Sequence, residues 1–165
     1  MPGGVRIIDR GWNAFKKKLQ RNKGKGLVAS VGVQGDKATE MHADGDITNA
    51  TIGAIQEYGT EDGRVPERSH WRATFDENES KYTRELEKIP GRLLQGQSTI
   101  KGELLLIGEI YKFDVLKKIK SHIAPALAES TIEMHKGETT PLDNTGQYIN
   151  SFSVDVVPRS DKSDA

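Results

Sequence analysis

A single segment of this chain, residues 104–123 (L-L-L-I-G-E-I-Y-K-F-D-V-L-K-K-I-K-S-H-I), is apolar enough to found a core, and the rest must be arranged around it. Leu106, Ile110, Phe113, Leu116, Ile119 and Ile123 recur at helical spacing, and Leu105, Ile107 and Tyr111 widen the stripe. The pattern predicts the main core helix, with Phe113 buried and Lys117 and Lys118 off the stripe. A cofactor box is the sharper reading of such a stripe; helix-on-sheet packing is the commoner one. Gly108 interrupts it at a cost of about 1 kcal/mol relative to alanine, which points to a strand packed closely there. The constraint is severe because the remainder is lean. Of 165 residues 35% are hydrophobic, and the mean hydropathy is −0.62. A chain of this length is most simply one domain burying about 70% of its unfolded surface, so a modest core with long exposed loops or arms is expected.

Two stretches alternate with a period of two and supply the sheet. Leu27, Ala29, Val31 and Val33 share one face of the first, while Val28 on the other face suggests partial cover on both sides. Phe152, Val154 and Val156 mark a final strand that Pro158 closes, and the two are expected side by side, with one or two further short strands unplaced. Residues 7–21 read as an amphipathic helix through Ile8, Trp12, Phe15 and Leu19, stopped by Gly24 and Gly26. Thr48 or Asn49 can cap a short helix ending at Tyr58. Thr74 and Glu77 form a capping box for a helix bearing Phe75, Tyr82, Leu86 and Ile89, which Pro90 and Gly91 end. A break follows at residues 95–99. Ser130 and Glu133 form a second capping box, with His135 and Lys136 in the last turn and Gly137 after it; Thr145 caps a turn bearing Tyr148 and Ile149. The sum is an α+β fold: a small, mainly antiparallel sheet packed against a long helix, with additional short helices and a long acidic loop.

Charge is balanced overall, with 24 basic and 24 acidic residues, but unevenly placed. Residues 1–25 hold eight Lys/Arg against Asp9, and residues 36–62 hold seven Asp/Glu against Lys37. Such polarity suits head-to-tail contacts between copies, with Lys16, Lys17 and Lys18 on one side and Asp36, Glu40, Asp44 and Asp46 on the other; it is also common on solvated faces. The acidic loop, residues 34–48, offers only Ala38, Met41, Ala43 and Ile47 for burial, so it is expected to be mobile in the free chain. Its H-A-D-G-D sequence, with His42, lacks calcium-loop spacing and the terminal bidentate glutamate.

Residues 56–71 read Q-E-Y-G-T-E-D-G-R-V-P-E-R-S-H-W. Gly59 suits a helix stop, Pro66 stiffens the exit through Val65, and Arg68 and Arg72 flank Trp71. Arg68 is expected to tie this exit back to Glu57 on the preceding helical turn. The pattern E-Y-G-T…V-P-E-R-x-x-W-R-x-T resembles the signature of the tailed-phage tail-completion, or head–tail joining (virion morphogenesis), proteins. That family reads E-[FY]-G-T, then I-P-x-R-x-F, then P-L-x-x-T-G-x-x-x-x-S. Glu57, Tyr58, Gly59, Thr60, Pro66, Arg68 and Trp71 match the first part, and Pro141, Leu142, Thr145, Gly146 and Ser151 the last, in the family's order and across a helical spacer. Members more often have proline near Ser69 and phenylalanine at Trp71. The resemblance spans residues 28–157. It implies a bacteriophage structural protein that forms a ring, commonly of six copies, at the neck, assembled in the host cytoplasm. Its implied partners are copies of itself, the head connector, and a tail tube or terminator protein, with passive contact to passing DNA.

The organisation expected is an N-terminal helix and basic linker (1–26), an α+β domain (27–157) and a loose tail (158–165). Absence of cysteine removes disulfides and thiolate chemistry and fits a reducing cytoplasm. No stretch reads as a signal peptide or membrane span. Neither a cofactor nor a metal site is expected. Three classes of function compete. The first is the structural virion protein. The second is a nucleic-acid-binding protein acting through the basic segment from Lys16 to Lys25, although a solvated helix end and linker is the commoner reading of such a cluster. The third is an enzyme, for which His42, His70, His122 and His135 are scattered and no serine sits in a nucleophile elbow.

Overall fold

The computed structural model describes residues 11–21, 26–41, 46–121, 123–134 and 146–159. Its elements run α1 (Trp12–Arg21), β1 (Leu27–Val33), α2 (Asp36–Thr39), α3 (Asn49–Tyr58), α4 (Trp71–Leu94), α5 (Ile100–Lys120), α6 (Glu129–Met134), α7 (Gln147–Asn150) and β2 (Phe152–Pro158). No helix among the described residues is long and apolar enough to cross a membrane. Ile8, the linker 22–25, His42, Asp44, His122, residues 135–145 with Pro141, Leu142 and Thr145, and the tail 160–165 lie outside the described residues.

The fold is α+β. β1 and β2 form a two-stranded antiparallel sheet in the register Leu27↔Pro158, Val31↔Val154, Val33↔Phe152, and the long helix α5 lies across it. Among the described residues no third strand joins; the bridge Met41↔Thr48 stands apart from it. Alternation places Val31 and Val154 under α5, where Gly108 meets them. A Cβ at Gly108 would stand 3.3 Å from Val31 Cγ2 and would overlap Val154 Cγ1 outright. Close packing against a strand is thus the reason for that glycine. The opposite face is open: Val28 and its cross-strand partner Val157 are both exposed, contrary to the cover inferred from Val28.

α5 is rotated relative to part of its sequence-derived stripe, although Ile119 and Ile123 of that stripe are buried as expected. Val115 and Ile119 are fully buried and Tyr111 and Leu116 pack beside them, whereas Phe113 is 66% exposed and Leu106 is exposed. The helix is apolar on nearly every side, so spacing alone could not say which face the sheet takes. α4 runs along a second face of α5. Paired charges fasten the two: Lys81 donates to Asp114 at 2.6 and 2.8 Å, Tyr82 donates to the same carboxylate, Lys118 reaches Glu77, and Arg92 forks onto buried Glu103. The core cluster is Val115, Ile119, Tyr148 and Phe152, with Val33, Ile52, Trp71, Tyr111, Leu116 and Ile149 against it.

Three helix boundaries differ from those expected. α4 starts at Trp71, so Thr74 lies inside its first turn and donates to the His70 carbonyl instead of forming a box with Glu77. It also continues through Pro90 to Leu94, with Arg92 tied to Glu103 beyond the proline. α6 starts at Glu129, which puts Ser130 inside the helix. The break at residues 95–99 is present, and Thr99 caps α5 by accepting from the Gly102 amide. In the acidic loop, α2 and the Met41↔Thr48 bridge replace a featureless run. Lys37 donates to the Asn150 carbonyl at 2.7 Å and the Asn49 side chain donates to the Lys37 carbonyl, so the loop's described part is anchored.

The rotation has a measurable consequence. Ile119→Ala should cost about 2–5 kcal/mol in urea unfolding, whereas Phe113→Ala should stay within about 0.5 kcal/mol because its ring is in solvent. The reverse order would put Phe113 back in the core.

Candidate functional site

The site grows from the end of α3. Thr48 starts that helix by accepting from the Thr51 amide, and Gly59 ends it at φ 74. A side chain at Gly59 would meet Glu67 N and Val65 O, each at 3.0 Å, so the turn admits only glycine. The loop 59–67 then closes on itself. Thr60 N donates to Val65 O at 2.9 Å, the Thr60 hydroxyl donates to Asp62 at 2.7 Å and accepts from the Val65 amide, and Arg68 N donates to Gln56 O at 2.8 Å. The chain therefore returns beside the helix it has just left.

That return aims the first turn of α4 at Glu57. The carboxylate is 5% exposed and accepts from the His70 and Trp71 amides, each 2.9 Å to Oε2, and from the Arg72 amide, 3.1 Å to Oε1. Ser69 Oγ and Arg72 Nε add bonds of 2.8 and 3.1 Å to Oε1. The first amides of a helix have no intrahelical partner and carry the positive end of its dipole, so a carboxylate there is strongly held. Burial pushes the Glu57 carboxyl up, but the amides of Trp71 and Arg72, the Ser69 hydroxyl and the nearby imidazole outweigh it and hold it below its usual value. α4 is thus capped by a residue fourteen positions upstream of Trp71.

His70 extends this contact into the core. Its ring is fully buried, with Nδ1 2.9 Å from the Arg68 carbonyl and 3.2 Å from Glu57 Oε2, and Nε2 2.7 Å from the Tyr148 hydroxyl. Two acceptors face Nδ1, so the proton of the neutral ring sits there and Nε2 accepts from Tyr148. The Tyr148 oxygen in turn accepts weakly from Trp71 Nε1 at 3.4 Å. Burial lowers the His70 pKa, against the opposing pull of the Arg68 carbonyl and Glu57. Burial also raises that of Tyr148, itself 3% exposed. Around this chain Trp71 stacks on Phe152 at 4.7 Å and meets Tyr111 edge-on at 5.8 Å, while Tyr111 Oη donates to the Trp71 carbonyl. Gly53 on α3 leaves room for the Tyr148 ring, whose hydroxyl would stand 3.0 Å from a Cβ there.

Arg68 does not pair with Glu57. Its buried guanidinium donates from Nε to the Pro125 carbonyl at 2.8 Å, from Nη2 to Ala126 O at 3.3 Å and from Nη1 to Gln56 Oε1 at 3.4 Å. The arginine beside Glu57 is Arg72, which also reaches Glu67 at 2.6 Å and lies over the exposed Tyr58 ring at 4.9 Å. The expected Arg68–Glu57 pair is replaced by Arg72–Glu57 because two arginines flank Trp71 and sequence separation favours neither. Carbonyls of the segment after α5 carry no sequence signal.

Of the residues matched by the resemblance, Glu57, Gly59, Thr60, Arg68 and Trp71 converge here, and Gly146 and Ser151 bracket α7, which delivers Tyr148. Pro66 is exposed at the loop's exit, and Tyr58 is exposed on its rim. Lys16, Lys17, Asp36, Glu40 and Asp46 are exposed and lie outside this site; of Lys18 only the helical backbone is described. His70 and Tyr148 were missed as partners, since 78 residues separate them; the one sequence signal was that each sits inside a matched motif.

Stability should fall on mild acidification. Because the folded pKa of His70 lies below the ordinary 6.5, its contribution is full above that pH and is lost as pH falls through the folded value. Glu57, depressed from 4.5, adds a second loss at lower pH still. The urea midpoint should drop between about pH 7.5 and about pH 5.5, and the His70 ring should titrate below 6.5 by NMR. A midpoint that rises instead would mean that an imidazolium–Glu57 ion pair is favoured inside. Compared with known proteins, the chain matches no family model, no curated protein and no solved structure.

Proposed function

We propose that this chain is a structural virion protein of a tailed bacteriophage, joining the head connector to the tail as part of a ring at the neck. The observation that carries the reading is the meeting of the two resemblance motifs. They lie far apart in sequence, yet His70 and Trp71 of the first bond Tyr148 of the second. Motif residues that hold one another are a framework, and what they frame is a stiff, charged loop. Glu61, Asp62, Arg64 and Glu67 all stand exposed on it, with Tyr58 at its rim. A joining protein needs such a loop on an inflexible base, since a contact made by a pre-ordered loop loses little entropy on binding.

The buried Glu57–His70–Tyr148 chain has the composition of a proton relay. Each member is within 5% of full burial and engaged in bonds that fix the backbone, so on this reading its role is positional. The nucleic-acid alternative rests on charge in residues 16–25, of which Lys16 and Lys17 are exposed on α1.

Electron microscopy of the purified protein, with and without its connector, is the test. Alone, the protein should be monomeric or weakly associated, because its split charge and lean core suit transient interfaces; on the connector it should close into a ring. A tight, salt-resistant dimer in sedimentation would contradict this. Salt-dependent retention of the monomer on duplex DNA, without ring formation, would favour the nucleic-acid reading.

A further inference from the structure

α5 packs on two of its three sides. Gly108 admits Val31 and Val154 of the sheet, with Val115 and Ile119 buried on the same side. Glu103, Asp114 and Lys118 turn to α4 and bond Arg92, Lys81 and Glu77. The third side is in solvent. Leu106 is 49% and Phe113 66% exposed, and Glu109, Lys117 and Lys120 are exposed with them. At about 100° per residue these five fall within an arc of about 80°, so they form one straight stripe.

The stripe is complementary to its own reverse. Phe113 stands at its centre, with Glu109 four residues before it and Lys117 four after. Leu106 lies seven before and Lys120 seven after. A second copy laid antiparallel, with Phe113 on Phe113, sets each Glu109 against Lys117 of the other copy. It also sets Leu106 against the methylene stem of Lys120 of that copy. Lys117 and Lys120 form no ion pair among the described residues. Glu109 pairs with Lys112 at 2.7 Å on the surface, and an exposed pair of this kind is weak and leaves the carboxylate room for a second cation.

We infer that this face of α5 docks on the same face of a second copy, antiparallel, about a two-fold axis at Phe113. The charge order along the stripe selects that occupant. The exposed apolar residues of α4, Phe75 and Leu86, stand eleven residues apart and do not match the seven-residue step from Leu106 to Phe113. One helix stripe on its copy covers far less than the roughly 1,600 Å² of a standard interface, so the dimer is weak and transient. A two-fold contact closes at two copies and is distinct from one that builds a ring. The inference adds to the proposed function without resting on it.

The chain has no cysteine, so an introduced thiol reports a single contact. With helix axes about 10 Å apart, the two residue-113 Cα atoms would lie about 5 Å apart, within disulfide reach. Under mild oxidation Phe113→Cys should form a covalent homodimer several-fold faster than Leu94→Cys, a comparably exposed site on α4. Leu106→Cys alone should match Leu94→Cys, whereas Leu106→Cys mixed with Lys120→Cys should crosslink several-fold faster, because the register sets those positions opposite. Adding Glu109→Lys to Phe113→Cys should slow trapping several-fold, and adding Lys117→Glu as well should restore it. In sedimentation the unaltered protein should show a weak, reversible dimer that Glu109→Lys loses and Glu109→Lys/Lys117→Glu recovers. Trapping of Phe113→Cys no faster than of Leu94→Cys, Leu106→Cys alone as fast as Phe113→Cys, or no recovery in the charge swap would each overturn the inference. Faster trapping of Phe113→Cys by Leu86→Cys than by itself would overturn it and give the face to α4 of a second copy. Shielding of Phe113→Cys from a thiol reagent on the connector alone would overturn it and give the face to the connector. Rings on the connector without this crosslink in the free protein would remove this contact and leave the neck assignment standing.

Discussion

One carboxylate decides how the chain is threaded. Glu57 accepts from the amides of His70, Trp71 and Arg72 at distances of 2.9–3.1 Å, and among the described residues no other side chain serves as cap to α4. Desolvating a carboxylate is costly unless hydrogen bonds to charged or oriented donors replace water, and here five donors from four residues do so. The bond sets where α4 begins, hence which residue of α4 faces α5. It also sets where His70 and Trp71 enter the core.

From that anchor the architecture follows in order. Trp71 lies against Phe152 and under Tyr111, so the start of α4 is pinned to β2 and to α5 together. His70 meets Tyr148, which fixes α7 and the approach to β2. Gly108 lets α5 settle on Val31 and Val154. Arg68 carries the same frame to the segment after α5 through the carbonyls of Pro125 and Ala126. The sheet has only two strands, and a two-stranded ribbon alone is marginal; α5 on one face is what makes it viable.

What could be read from sequence was what short-range chemistry determines. The alternation of β1 and β2, the Thr48 cap, the Gly59 stop and the tight approach at Gly108 all depend on a residue and its near neighbours. What could not be read depends on partners far along the chain. Thr74 and Glu77 looked like a cap because nothing local announced that Glu57 would supply one. Phe113 looked like core because α5 is apolar on three sides, and only the sheet and α4 choose among them. A carboxylate is the partner sequence suggests for Arg68, because the backbone carbonyls that accept most of its bonds are invisible in sequence.

The most direct check of this account is amide hydrogen exchange at His70, Trp71 and Arg72 in the intact protein and in Glu57→Gln. The account predicts that these amides exchange only through global unfolding in the intact protein. In the variant they should lose protection by about 10-fold or more, consistent with about 1–3 kcal/mol for charged hydrogen bonds, while residues of β1 and β2 lose no more than the global change. Fast exchange at all three amides already in the intact protein, at neutral pH, would contradict the claim that Glu57 holds the start of α4.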